Sequence, residues 1–206
     1  MRSPFPFREF IFDERGFAAE FALVLPLLLL FILGTIDVGI YAWRINQGEK
    51  ATQIGARFAA VTDPIAESLT NATYVNANVG GTLITQGDRI PASALGLLTC
   101  NNSSCSCTIA PCPGTSFSST AFANLSTRMK QIMPTILDSN IVVEYSGSGL
   151  GFAGDPNGPE IAPVITVKLT NMTHTPIAFS PLGAGVDLPD FSYSITAEDA
   201  RGTTSN

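Results

Sequence analysis

The sequence is poor in charge and in histidine. Charged side chains make up 14% of its 206 residues, against roughly 25% in a typical soluble domain. It contains one histidine and one tryptophan, and its 11 lysines and arginines are outnumbered by 17 aspartates and glutamates. Basic residues form no stripe and do not alternate with aromatic residues, so we expect no nucleic-acid partner.

The common enzyme motifs are also missing. No Gly-x-Ser-x-Gly element accompanies the single histidine, His174, and the glycine-rich segment GSGLGFAG lacks the Gly-Lys-Ser/Thr ending of a phosphate-binding loop. A lone histidine in a loop is more often solvated or caps a turn, and we expect this of His174. The segment DPNGPE falls short of a calcium-binding EF-hand loop. We therefore expect no enzymatic activity and no cofactor.

Cysteine is absent except in one segment of thirteen residues. Cys100, Cys105, Cys107 and Cys112 lie there in the spacing C-x4-C-x-C-x4-C. An even, clustered count favours two disulfides in an oxidising compartment. A zinc site is the alternative, but the paired C-x2-C arms of zinc sites are missing. Four cysteines allow three pairings, and the sequence does not choose among them, although a Cys105–Cys107 bridge would be sterically awkward.

A long apolar run is the main feature that the chain does have. Residues 21–36 carry no charge, and the apolar character continues past Asp37 to Trp43. A helix rises about 1.5 Å per residue and needs roughly 20 residues to cross a bilayer. The flank before the run has balanced charge, unlike the basic flank of a cleaved secretory signal. We therefore predict a retained transmembrane helix over residues 17–43, with Tyr41 and Trp43 near the interface.

The position of the charges and cysteines suggests which side of the membrane the body occupies. Residues 1–61 hold six basic and six acidic side chains, so the net charge of −6 belongs to residues 62–206. Lysine and arginine are equally numerous on the two flanks of the apolar run, so the positive-inside rule does not decide the orientation. The cysteines favour the oxidising side. We predict an extracytoplasmic domain over residues 62–206.

Apolar residues at helical spacing continue past the membrane, which predicts one helix from about residue 18 to residue 61, with 44–61 as its continuation. Four glycines interrupt this helix. For Gly34 and Gly39, in lipid, we expect the close approach of a second helix. For Gly48 and Gly55 the partner is either a second helix or the chain's own body. Asp63 and Pro64 predict the start of a new short helix.

The sequence pattern of residues 62–206 predicts an α+β fold. In this fold the long helix packs on a small antiparallel sheet with a second helix. The segment STAFANLSTRMKQIMPTILDSN has the periodicity of a helix, with Phe122, Leu125, Met129, Ile132 and Ile136 on one face. Three strands are predicted in IVVEYS, PVITVKLT and FSYSITAEDA, the last two as an antiparallel pair, and short strands flank Gly80 and Gly81. The cysteine segment is predicted to be an irregular loop stapled by its disulfides.

The segment RGFAAEFALVLPLLLLFILGTIDVGIYAWRINQGEKATQIGARFAA resembles the N-terminal domain of the TadE-like family. These are minor pseudopilins of tight-adherence (Flp) type IV pilus systems. The resemblance lies in the Arg-Gly opening, the Glu20-Phe21 pair after two alanines, the Ala-Leu-Val-Leu-Pro run and the step from Asp37 to Gly39.

This resemblance implies a pilin-like fold, a processing step and a set of partners. A prepilin peptidase would cut between Gly16 and Phe17 and remove residues 1–16 as a leader. Glu20 would pair with the free amine of a neighbouring pilin-like subunit, which offsets the cost of an acid in lipid. Asp37 would contact a partner helix or the pilus assembly machinery, or alternatively lie at the outer interface and reach water.

Two functions follow from the resemblance. The first is a structural minor pilin, held in the inner membrane of a bacterium by one helix and built into, or priming, a surface pilus for attachment. The family places its glutamate fifth after the cleavage glycine, whereas Glu20 is fourth after Gly16. The second function is therefore an uncleaved, membrane-anchored periplasmic module that binds a partner or ligand through its cysteine segment.

Overall fold

The computed structural model describes residues 14–156, 158–177 and 185–197. The chain divides into two compact units. The first consists of Met1–Trp43 and His174–Val186, and the second of Arg44–Thr173 and Asp187–Asn206.

The longest element is helix α1, Glu14–Val61, which continues without a break through Pro26. It ends where the hydroxyl of Thr62 donates to the carbonyl of Phe58. The predicted helix start at Asp63 and Pro64 is wrong: the next turn is a 3₁₀ turn at Glu67–Leu69. Just before that turn, the backbone N–H of Ile65 donates to the Tyr145 hydroxyl at 2.9 Å, which holds this segment against a strand.

A five-stranded antiparallel sheet forms the centre of the second unit, in the order β4-β3-β5-β6-β9. Its strands are β3 (Leu97–Cys100), β4 (Cys105–Ile109), β5 (Ile141–Ser146), β6 (Val164–Leu169) and β9 (Phe191–Thr196). Short two-stranded sheets are formed by β1 (Asn78–Val79) with β2 (Thr82–Leu83) and by β7 (Thr173–His174) with β8 (Val186–Asp187).

Buried and half-buried residues alternate along the two central strands, β5 and β6, and the buried ones form the inner face of the sheet. Ile165, Val167 and Leu169 of β6 are buried, and they lie opposite Tyr145, Val143 and Ile141 of β5, which are buried as well. The residues between them are only half-buried. The predicted antiparallel pairing of β6 with β9 is confirmed, with Ile165 opposite Ile195 and Leu169 opposite Phe191.

Helix α2, Ser119–Lys130, buries one face. The Ser118 hydroxyl accepts from the backbone N–H of Ala121 at its start. Phe122, Leu125 and Met129 are buried as the periodicity predicts. The helix ends earlier than predicted, and the Ile132 carbonyl instead accepts a hydrogen bond from the Gln47 side chain of α1.

Residues 44–61 of α1 pack on this body through two glycines. A Cβ atom on Gly48 would lie 2.5 Å from the Phe191 ring, and one on Gly55 would lie 2.9 Å from Met129. Both distances are too short for a real side chain. Of the two partners considered for Gly48 and Gly55, the structure shows the chain's own body. The predicted α+β fold is confirmed: a long N-terminal helix, a small antiparallel sheet and a second helix.

Candidate membrane and assembly segment

The first part of α1 exposes apolar side chains on all its sides. Leu23 and Val38 are 76% and 70% exposed. The other large apolar side chains that are exposed here are Phe21, Val24, Leu27, Leu28, Leu29, Leu30, Phe31, Ile32 and Ile36. Among the described residues, this is the one helix long and apolar enough to cross a membrane. A helix that is apolar all round fits lipid rather than water.

Glu20 lies at the start of this apolar surface, and its side chain is exposed. Within the described part of the chain, Glu20 makes no hydrogen bond and no ion pair. An acid at the end of a membrane helix is costly and is usually functional. The fold therefore leaves this carboxylate available to a positive group from outside the chain.

Asp37, the second acid of the apolar run, is only 7% exposed. Its Oδ1 accepts a hydrogen bond from the backbone N–H of Ile177 at 2.7 Å. Asp37 and Ile177 are 140 positions apart, so no local pattern in the sequence indicates this contact. The contact seen in the structure is thus made within the chain, by a loop that follows β7.

Strand β7, which precedes this loop, brings His174 to α1. The rings of His174 and Tyr41 lie 6.0 Å apart between centroids. His174 is 5% exposed, so the expectation of a solvated or turn-capping histidine is wrong. Its Nε2 atom is buried and has no hydrogen-bond partner among the described residues. Asp37, Tyr41, His174 and Ile177 are called the helix–loop contact below.

Gly34 and Gly39 lie on the membrane part of α1 and differ from the two glycines that pack on the body. A Cβ atom on either would meet nothing within 4 Å in the described chain. The described part of the chain therefore gives no steric reason for glycine at these positions. The expectation of a second helix at Gly34 and Gly39 remains a prediction.

The predicted processing site lies at the beginning of α1. Gly16 and Phe17 are in the helix, but the side chain of Phe17 and residues 1–13 lie outside the described part of the structure. Cleavage between Gly16 and Phe17 therefore remains a prediction.

The cysteines form a stapled hairpin at one edge of the large sheet. Cys100 of β3 is joined to Cys105 of β4, its partner in the strand register, and Cys107 of β4 is joined to Cys112. The prediction of an irregular loop is wrong, because the two halves of the segment pair as strands. The Asn101 side-chain oxygen accepts from the backbone N–H groups of Ser103 and Ser104 and fixes the turn. The pairing favours disulfides over a zinc site.

A pocket of about 460 Å³ opens beside this hairpin. Cys112, Pro111, Pro113 and Val79 line it, together with Tyr74. Tyr74 is buried, and its hydroxyl has no hydrogen-bond partner among the described residues. Burial, and secondarily the negative charge of Glu160, raises the pKa of Tyr74 to about 12. The hydroxyl thus stays protonated and can donate a hydrogen bond.

Comparison with known proteins identifies one part of the chain. Residues 17–57 match the family model described as TadE-like protein. The match confirms the resemblance predicted from the sequence for this segment. No match is found among the curated proteins or among the solved structures.

Proposed function

We propose, on the premise that residues 17–57 form a TadE-like segment, that this chain is a minor pilin-like subunit of a tight-adherence pilus. Its apolar helix holds it in the inner membrane. The domain that follows lies outside the cytoplasm, where its disulfides are stable. The helix then assembles with the helices of other pilin-like subunits, either within the fibre or at its start.

The observation that carries this proposal is the unpaired carboxylate at the end of an exposed apolar helix. Insertion measurements place the cost of an acid at the centre of a membrane helix at about 2.5–3.5 kcal/mol, and less towards the ends. Glu20 has no partner in the described chain that would offset this cost. A positive group from a neighbouring subunit would do so. If a peptidase cuts after Gly16, the amine of Phe17 on the next subunit is such a group.

Mass spectrometry of the mature protein tests the processing step. We expect a chain that begins at Phe17. A chain that begins at Met1 or Arg2 would contradict cleavage and would favour the membrane-anchored module.

Cysteine crosslinking tests the assembly. The described cysteines are all paired, so one added cysteine provides a single reactive thiol. We expect a Leu27→Cys variant, at an exposed position of α1, to form crosslinked dimers and to appear in sheared surface fractions. Leu137→Cys, at an exposed leucine of the body, is the matched control. Adding Glu20→Gln should remove the Leu27→Cys crosslinks, because the amide cannot pair with an amine as an ion.

The alternative function, a membrane-anchored binding module, is favoured by the pocket beside the disulfide hairpin. Its volume of about 460 Å³ lies in the range of roughly 300–1,000 Å³ typical of small-ligand sites. A Ser93→Trp variant would fill this pocket, because Ser93 lines it. If the chain is a binding module, Ser93→Trp should lose binding of its partner or ligand. The Leu27→Cys variant should then give no crosslinks. If the chain is a pilus subunit, Ser93→Trp should assemble normally.

A further inference from the structure

The helix–loop contact joins a loop of the chain to the part of α1 that is apolar enough for a membrane. Ile177 donates its backbone N–H to Asp37, and His174 packs on Tyr41. All of these residues belong to the first compact unit. Wherever Asp37 and Tyr41 lie along the membrane normal, the loop must lie at nearly the same level.

The depth of Asp37 and Tyr41 in the membrane follows from their distance along α1 from Glu20. Glu20 and Asp37 are 17 positions apart, which corresponds to about 26 Å along a helix. The hydrocarbon layer is about 30 Å thick. With Glu20 near the cytoplasmic boundary, Asp37 lies in the outer part of the apolar layer and Tyr41 at its outer edge. The loop that contacts them is therefore at the depth of the outer leaflet.

The sequence of the loop suits that depth. Residues 175–186 carry no charged side chain. Ile177 and Val186 are both exposed apolar side chains. Their exposure to water would be unfavourable, whereas contact with acyl chains would not be.

Two backbone positions in the described part of the loop also suit an apolar environment. An unsatisfied N–H group costs several kcal/mol in lipid. Pro176 has no N–H group, and the N–H group of Ile177 is satisfied by Asp37. The same hydrogen bond gives the Asp37 carboxylate a partner in a position where an acid is costly.

A pocket between the loop and α1 supports this assignment. It has a volume of about 360 Å³, and Gly34, Val38, Pro176 and Val186 contribute apolar walls. The end of an acyl chain is the chemical group that fits such walls. His174 also lines the pocket, with its buried Nε2 lacking a partner among the described residues.

We infer that the described residues of this loop, 174–177 and 185–186, lie in the outer leaflet of the membrane, with Ile177 and Val186 against lipid acyl chains. Asp37 positions the loop there through its hydrogen bond to Ile177. This inference rests on the proposed membrane anchoring of α1. It adds a second membrane-contacting element, in the domain that otherwise lies outside the bilayer.

Fluorescence quenching in lipid vesicles tests the inference. Single cysteines are introduced into the full chain by Leu28→Cys, Val38→Cys, Ile177→Cys and Leu137→Cys, and each is labelled with an environment-sensitive fluorophore. All four positions are exposed apolar residues. Nitroxide-bearing phospholipids quench a label in lipid, and iodide quenches a label in water. Position 28 reports the membrane segment, position 38 the level of Asp37, and position 137 the body.

We expect the label at position 177 to be quenched by lipid as strongly as the label at position 38, and to be protected from iodide. Quenching at position 177 by iodide, as at position 137, would overturn the inference while position 28 still shows the anchor. Protection from both quenchers would also overturn it, since a protein partner would then cover the loop. If position 28 is not quenched by lipid, the proposed anchoring and this inference both fail.

A second comparison tests the role of Asp37. In an Asp37→Leu background the Ile177 N–H loses its acceptor, and we expect the label at position 177 to lose its lipid quenching. Asp37→Asn keeps a side-chain oxygen as an acceptor and should retain the quenching. Equal quenching in both backgrounds would show that Asp37 does not position the loop. Circular dichroism of each variant confirms that the helix is intact.

Discussion

Tyr145 and Tyr74 are both buried, but they differ in what their hydroxyl groups contact. The Tyr145 hydroxyl accepts the backbone N–H of Ile65 at 2.9 Å, whereas the Tyr74 hydroxyl has no partner among the described residues. Removal of a hydrogen-bond partner that leaves a buried group unsatisfied costs about 1–3 kcal/mol. Removal of a hydroxyl that has no partner carries no such cost.

We therefore predict that Tyr145→Phe lowers the free energy of unfolding by about 1–3 kcal/mol, because the Ile65 N–H becomes unsatisfied. The matched variant Tyr74→Phe should leave the free energy unchanged or raise it. Urea denaturation of both variants measures the difference. Equal losses in the two variants would contradict the assignment of a structural hydrogen bond to Tyr145 alone.

The raised pKa of Tyr74 gives a prediction for alkaline solution. Burial and the charge of Glu160 raise its pKa from 10.0 to about 12 in the folded chain. The folded state therefore holds this proton more tightly than the unfolded state does. The stabilisation is fully present below about pH 10 and is lost as the pH rises through about 12.

Between about pH 10 and pH 12, Tyr74 should thus contribute a loss of up to roughly 2 kcal/mol in the free energy of unfolding. Tyr74→Phe should lose less stability than the parent chain over this interval. Urea denaturation at several pH values checks this, and parallel curves for the two proteins would contradict it. The difference in phenolate absorbance between the parent chain and Tyr74→Phe reports the titration of Tyr74.

At the scale of elements, the four glycines of α1 belong to two pairs with different surroundings. Gly48 and Gly55 approach Phe191 and Met129 closely, while a Cβ atom on Gly34 or Gly39 would meet nothing within 4 Å among the residues that the structure describes. The same substitution should therefore have opposite effects in the two parts of one helix.

We predict that Gly48→Ala lowers the free energy of unfolding by about 1–3 kcal/mol, because the added methyl group overlaps the Phe191 ring. Gly39→Ala should not destabilise the isolated chain, since alanine raises helix propensity by about 1 kcal/mol. Thermal unfolding in detergent measures both. If Gly39→Ala nevertheless reduces crosslinking through Leu27→Cys, a second helix packs at Gly39; unaltered crosslinking would argue against that packing.

The strands show how far local patterns predict structure. Alternation predicts β6 and β9, and the inner residues of β6, such as Val167, face a core. The apolar, β-branched segment IVVEYS predicts β5, whose Val143 is buried on the same face. Strand β4 escaped prediction because only Cys105 among its residues is buried, so the strand has no apolar alternation. The pairing with β3 is fixed by the turn and by the disulfide between Cys100 and Cys105.

The candidate site was predicted in part for a similar reason. Glu20 and Asp37 are conspicuous as acids within an apolar run, and sequence inspection finds them directly. The contact of Asp37 with Ile177 joins positions 140 apart. Such a contact depends on the fold of the residues between them, and it leaves no local signal. The burial of His174 follows from the same contact region and was missed with it.

At the scale of the whole molecule, α1 belongs to both compact units. Its residues up to Trp43 are part of the first unit, and its residues from Arg44 onwards are part of the second. Ala51, Ala56, Phe58 and Ala60 of α1 are buried in the second unit. Burial of a side chain such as Phe58 stabilises a fold by about 1.5–3 kcal/mol. The body therefore depends on the last turns of the helix for its core.

We predict that a fragment of residues 44–206, in oxidised form, is soluble and unfolds cooperatively in urea. A fragment of residues 62–206 should lack a cooperative transition, because its sheet loses the apolar surface of α1. Tryptophan is absent from both fragments, so far-ultraviolet circular dichroism is the suitable measurement. Equal stability of the two fragments would show that residues 44–61 are not part of the core.

The disulfide hairpin bears on how the chain matures after export. Each bridge joins cysteines separated by only 5 positions, so closing it requires little loop-closure entropy. Both bridges can form while only this short stretch has reached the oxidising side, before the later strands arrive. Oxidation of this chain can thus precede the completion of its sheet.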